Sequence, residues 1–189
     1  MNFKNLFRLS FMLLFSISII GCWGGSGSKS TLKGAPKWFE KPPNKKGYIY
    51  SAGTGKSSDY QQSINVAKLE AKAELGDMIR SEVKANVNKV FEENIGNANS
   101  ETLNLFKSTY ETTFSTLLED WKLTKREVVT EGDYFRAYVL LEWDEGRAQK
   151  RALDKIKAKK ELYDAVKAND MIKEMEEKVD KYCERYGCD

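Results

Sequence analysis

The spacing of apolar residues changes along the chain, and each change marks an element. Tyr48 to Thr54 (YIYSAGT) has the aromatic and β-branched content of a strand. From Asp59 to Glu93 the period becomes helical. Ile64, Ala67, Ala71, Leu75, Met78 or Ile79, Val83, Val87, Val90 and Phe91 fall on one stripe at three- and four-residue steps. Asp59 or Ser58 can cap its start. Ala67, Ala71 and Ala73 make the first half slim enough to lie close to a sheet, and Gly76 marks close packing or a bend. Residues 95–100 (IGNANS) break the period, with Asn99 or Ser100 as the next cap. Leu103, Phe106, Tyr110, Phe114 and Leu117 then share a face, which predicts a second helix antiparallel to the first.

Two alternating segments follow, Trp121 to Thr130 and Asp133 to Trp143. In the second, Phe135, Ala137, Val139 and Leu141 oppose Tyr134, Arg136, Tyr138 and Leu140, and Glu131-Gly132-Asp133 supplies a hairpin turn. The outer face, with Tyr134 and Tyr138, is either covered or an exposed sticky surface. Asp144 caps a last helical pattern in which Ala165, Ala168, Ile172, Met175, Val179, Tyr182 and Tyr186 keep the same spacing. Unbroken from 145 to 186 it would be roughly 60 Å long, about twice the width of a small domain. Either it bends near Asn169-Asp170 and folds back, or it projects and buries its stripe on another chain. The expectation taken forward is the second: the stripe mediates association, and truncation after Ala158 leaves a folded domain. Lys173, Glu174, Glu176, Glu177 and Lys178 read as a solvated face. The fold class is α+β: a three-stranded antiparallel sheet, a long helix and helical hairpin packed on it, and a long C-terminal helix.

Two shorter stretches carry less. Trp38-Phe39 in Gly34-Ala35-Pro36-Lys37-Trp38-Phe39 reads as an aromatic lid closing one end of the core, with a partner contact as the alternative. Gly53-Thr54-Gly55-Lys56-Ser57 invites a phosphate-loop reading that fails on spacing, since Tyr50 and Ser58 stand where glycines are required. Its glycines are assigned instead to a tight turn from strand to helix.

The leader sets the compartment. Lys4 and Arg8 precede an apolar run from Leu9 to Ile20, which is too short for a bilayer span but suits a secretory signal. It ends Ile19-Ile20-Gly21-Cys22, which resembles the lipobox of bacterial lipoproteins. The resemblance implies diacylglycerol on the Cys22 thiol, cleavage before Cys22 and acylation of the new terminus with chains such as palmitate. Two or more acyl chains make a stable membrane anchor. Residues 1–21 are then a signal peptide. Residues 22–33, rich in Gly and Ser, are a flexible tether, residues 34–158 the domain, and residues 159–189 a C-terminal helical extension. Trp23 after the cysteine, rather than aspartate, points by the same resemblance to the outer membrane, with the leaflet and side left open.

Charge and chemistry narrow the function. Loss of Lys4 and Arg8 takes the formal net charge from +3 to +1, which offers no bulk attraction to nucleic acid. The chain has no histidine, and so lacks the commonest general base and metal ligand. Export places Cys183 and Cys188 where disulfides persist. With Gly187 as a left-handed helix stop, the two cysteines occupy positions that touch in a Schellman turn. A bond between them is expected; free thiols or a bridge between chains are the alternatives.

The lipobox, Gly34-Ala35-Pro36-Lys37-Trp38, Ser51-Ala52-Gly53-Thr54-Gly55, the Ala67/Ala71/Ala73/Leu75 helix start and the Tyr134 to Trp143 hairpin together resemble the Helicobacter twenty-kilodalton surface lipoprotein family, over roughly residues 1 to 155. That resemblance implies a compact α+β domain on an outer-membrane lipid anchor, in a family of surface antigens and a flagellar lipoprotein that forms a disk around the motor. It carries no catalytic residues. The expected function is a non-enzymatic binding or assembly role at the cell envelope, with no cofactor and no metal. The partners are the membrane through lipid on Cys22, and a second copy or another envelope protein through the C-terminal helix. One alternative is a flagellar-motor-associated lipoprotein forming an envelope ring or disk. Another is a carboxylate-only cell-wall hydrolase using acids among Glu127, Glu131, Asp133 and Glu142.

Overall fold

The computed structural model describes residues 34–94, 96 and 98–188. Its centre is one contact: a strand with glycines on its inner face lies directly under a helix with alanines on its inner face. The strand is β1 (Tyr48–Ser57) and the helix is α2 (Tyr60–Glu93). Asp59 caps α2, its side chain accepting from Gln62 N at 2.6 Å. A Cβ on Gly53 would stand 2.6 Å from Ala71 N, and one on Gly55 would stand 2.5 Å from Ala67 N. Both glycines therefore lie within β1 and admit the helix backbone, rather than making the tight turn expected of them. Of the predicted slim residues, Ala67 and Ala71 are fully buried and Ala73 is exposed. Ser51, also on the inner face, donates to Ala71 O at 2.8 Å and so leaves no orphaned hydroxyl under the helix.

The hairpin forms as the alternation predicts, β2 (Lys122–Glu131) and β3 (Tyr134–Asp144). The sheet order is β1-β3-β2, antiparallel throughout. Gly132 at φ +61° makes the turn. On the inner face Ala137, Val139, Leu141 and Trp143 join the core. Helix α3 (Ser100–Leu117), capped by Asn99, supplies Phe106, Tyr110 and Phe114, which stack toward Trp143. The Trp143 indole N–H donates to Leu117 O at 2.7 Å, so the largest core ring also satisfies the helix end. The outer face is partly covered. Phe39, in the short helix α1 (Lys37–Glu40), sits edge-on to Tyr138 with centroids 4.8 Å apart, and Tyr138 and Leu140 are fully buried. The aromatic lid thus closes the outer face of the sheet rather than an end of the core. Tyr134 remains exposed.

The C-terminal third departs most from expectation. It is three helices: α4 (Glu145–Lys157), α5 (Lys160–Val166) and α6 (Asp170–Tyr186). The second break is where Asn169-Asp170 predicts a bend, with the Asn169 side chain accepting from Met171 N at 2.9 Å and Glu93 accepting from Asp170 N at 2.9 Å. The first, at Ala158–Lys159, has no glycine or proline to announce it. Both breaks fold the chain back over the domain. Ile156, Leu162, Val166, Met171, Ile172, Met175 and Val179 are all buried in the one core cluster. Residues 159–189 therefore complete the fold and belong to the same unit as residues 34–158. Of the predicted stripe, Ile172, Met175 and Val179 are buried, Ala165 and Tyr182 are half-buried, and Ala168 and Tyr186 are exposed, so its centre packs on the domain rather than projecting.

Candidate functional site

The end of α6 docks into a corner built from three distant parts of the chain. Gly47, at φ +81°, brings the loop ahead of β1 against the start of α4, where Gly146 N–H donates to Gly47 O at 3.0 Å. The missing side chains leave a notch, and Tyr182 fills it. A Cβ on Gly47 would meet Tyr182 Cδ2 at 3.1 Å, and one on Gly146 would overlap the same ring. The Tyr182 hydroxyl donates to Asp144 Oδ2 at 2.9 Å, next to the carboxylate oxygen that caps α4. Burial and that hydrogen bond both push the Tyr182 phenol up.

Beside this dock opens a cleft of about 410 Å³, within the usual range of small-molecule sites. Lys46, Lys178, Lys181 and Arg185 line it together with Glu145, Gln149 and Tyr186. Lys178 reaches Glu174 at 3.2 Å, and Lys181 is bonded to Glu177. Lys46 and Arg185 have no carboxylate within 4.0 Å among the described residues. On one side Lys45 lies over the Tyr48 ring at 3.8 Å and the Tyr186 ring at 4.7 Å. The one acid in the lining is Glu145. Burial, reinforced by the neighbouring Glu82 carboxyl and opposed by Lys178, raises its pKa to about 7. Gln149 Nε2 donates to Glu145 Oε1 at 2.5 Å. The cleft therefore carries a cationic surplus at Lys46 and Arg185 beside an acid whose ionisation is held back.

The four hairpin acids are not brought together. Glu142 lies opposite Tyr50, whose hydroxyl donates to it at 2.5 Å, while Glu131 lies opposite Tyr134 at the other end of β3. Eight residues of strand separate those ends, about 27 Å at the usual rise, against about 5–9.5 Å between paired glycosidase carboxyls. Glu131 accepts from Arg136 Nε at 2.6 Å and faces Lys56 Nζ at 3.4 Å, and the Arg136 hydrogen bond holds its carboxyl low. Glu127 pairs with Tyr138, about midway along the strand, and is exposed, as is Asp133 in the turn.

Cys22 lies outside the described residues. Cys183 and Cys188 stand at disulfide distance, with Cα atoms 5.0 Å apart. Gly187 has the expected positive φ, 78°, but its ψ of 157° is extended, so the helix ends without the left-handed turn of a Schellman motif. Gly187 N–H donates to Cys183 O at 2.9 Å. Among the described residues no group of three or more His, Cys, Asp or Glu is placed to hold a metal ion, and no helix is long and apolar enough to cross a membrane.

Sequence reasoning missed the cleft. Glu145 reads only as a neighbour of the Asp144 cap, and Lys178 as part of a solvated face. The available signal was the pair of glycines, Gly47 and Gly146, each beside a basic or acidic residue. No family model, curated protein or solved structure matches this chain. The resemblance drawn from the sequence stands on its own residues.

Proposed function

We propose that the chain is a bacterial outer-membrane lipoprotein, held by acyl chains on Cys22, whose domain acts by binding or assembly at the envelope and not by catalysis. The observation that carries this reading is the order Lys4/Arg8, apolar run, Ile19-Ile20-Gly21-Cys22, Gly/Ser tether. That order ends where a self-contained unit begins, at Gly34. A lipid on Cys22 would hold such a unit at the membrane on a flexible lead.

Binding rather than hydrolysis is supported by how the hairpin acids are used. They are spread along the strands, and the two least exposed are tied to Arg136, Lys56 and Tyr50. A partner reaching the C-terminal helix would meet its charged face, Lys173, Glu177 and Lys181, since Met171, Ile172, Met175 and Val179 are buried in the core.

The test is Cys22→Ser in a Gram-negative host. The variant should accumulate as a precursor with the signal attached and fail to incorporate labelled palmitate. Normal processing and palmitate incorporation in the variant would end the reading. Clearing on a peptidoglycan zymogram by purified protein would overturn its non-enzymatic part.

A further inference from the structure

We propose that the cationic cleft between the start of α4 and the end of α6 is a binding site for a phosphate-bearing ligand, with Lys46 and Arg185 as its principal contacts. This deepens the binding role proposed above by naming a ligand class.

Three features converge on it. The cleft collects charge from two unrelated parts of the chain, Lys46 from the loop before β1 and Lys178, Lys181 and Arg185 from α6. Away from the cleft, Lys173 on the same helix is paired within its own turn, with Asp170 at 3.0 Å. Lys46 and Arg185 are left without carboxylate partners among the described residues, so their charge is available to a ligand. A phosphate monoester or diester suits this surplus better than a single carboxylate, because its several anionic oxygens can be shared between two cations that line one opening without partners. Finally, the volume of about 410 Å³ exceeds the need of a bare ion, and Tyr186 is part of its lining. The ligand should therefore carry a sugar or glycerol part beside its phosphate.

The floor of the cleft is rigid for a structural reason. Tyr182 is wedged between Gly47 and Gly146 and bonded to Asp144, so the spacing between the Lys46 loop and the last turn of α6, which carries Arg185, is set by packing. A preformed spacing between the two backbone segments lowers the ordering free energy spent on a ligand.

The experiment uses full-length mature protein in the neutral detergent dodecyl maltoside. Thermal midpoints are measured in glycerol 3-phosphate, inorganic phosphate, and short-chain dihexanoyl phosphatidylglycerol, against chloride of equal ionic strength and dihexanoyl phosphatidylcholine. A ligand that binds only the folded state raises the midpoint as its concentration passes its dissociation constant. The expected result is a rise with glycerol 3-phosphate or phosphatidylglycerol, and at least a tenfold loss of affinity in the Lys46→Gln/Arg185→Gln double variant. Both side chains are exposed, so that variant should keep the unliganded midpoint. A rise with the soluble phosphates identifies a free phosphorylated molecule as the source, and a rise with phosphatidylglycerol alone identifies a lipid headgroup. No rise with any phosphate probe beyond its control, or an equal rise in the double variant, overturns the proposal. Because lipidation of Cys22 is read separately by precursor accumulation, failure here is distinguishable from failure of the anchor.

Discussion

The dock of Tyr182 makes a prediction whose sign changes with background. Tyr182→Phe removes one hydrogen bond to Asp144 and should cost about 1 kcal/mol. Tyr182→Ala also removes a half-buried ring, and full burial of an aromatic side chain costs about 3–5 kcal/mol on truncation. Scaled for its partial exposure the total is about 2–3 kcal/mol, a fall of about 4–12 °C in thermal midpoint for a domain of this size. Gly146→Ala is the informative partner. Taken alone, alanine in a helix gains up to about 1 kcal/mol over glycine. Here its Cβ would overlap the Tyr182 ring, and overpacking costs about 1–3 kcal/mol. The single variant should therefore lose about 1–2 kcal/mol. In a Tyr182→Ala background the obstruction is gone, and the same change should become neutral or stabilising. Urea titrations of the four proteins, followed by far-ultraviolet circular dichroism in neutral detergent, give the coupling directly. The expected coupling is about 2 kcal/mol. Equal effects of Gly146→Ala in both backgrounds would show that α6 is not seated on Gly146.

Further outcomes follow from the same packing. Truncation after Ala158 removes Leu162, Val166, Met171, Ile172, Met175 and Val179 from the core, and should abolish the cooperative urea transition; a folded truncated domain would restore the view of α6 as an extension. Gly53→Ala drives a methyl into the backbone of α2, which cannot yield as a side chain can. A loss of at least about 2 kcal/mol in the urea midpoint is expected, and a neutral effect would contradict the observed helix–strand approach. Glu145 has a raised folded pKa, so its proton stabilises the fold at low pH. That contribution fades as pH rises from its unfolded value through about 7, and stability at pH 8 should fall below that at pH 5.5 by about 1–2 kcal/mol after discounting for partial exposure. Glu145→Gln should flatten this slope, measured by thermal midpoint against pH. The Cys183–Cys188 bond closes a short loop and should add about 2 kcal/mol on the chain-entropy model; non-reducing peptide mapping checks the pairing, and two free thiols would refute it.

Long regular patterns were legible in the sequence. The 34 residues of α2 hold one stripe, and Ile64, Ala67, Ala71, Leu75, Ile79, Val83, Val87 and Val90 are buried in the positions that spacing assigns them. The hairpin was equally clear, because alternation and a Gly132 turn agree. What was not legible depends on contacts made far along the chain. Gly53 and Gly55 look like a turn until Ala67 and Ala71 are laid on them. The break at Ala158–Lys159 contains only good helix formers, so local preference points the wrong way there. Burial of Leu162 and Val166 decides it. The cleft escaped for the same reason: Lys46, Glu145 and Lys178 are ordinary surface charges in their own segments, and the Gly146–Gly47 hydrogen bond and the seating of Tyr182 bring them together.

The central claim is a lipid at Cys22 tethering this domain to the outer membrane, and the most direct measurement is the mass of the N-terminal peptide from protein isolated with the envelope. The account predicts a peptide beginning at Cys22 and heavier than its sequence by a diacylglycerol and an amide-linked acyl chain. A peptide beginning elsewhere, or one beginning at Cys22 with an unmodified thiol, would contradict it.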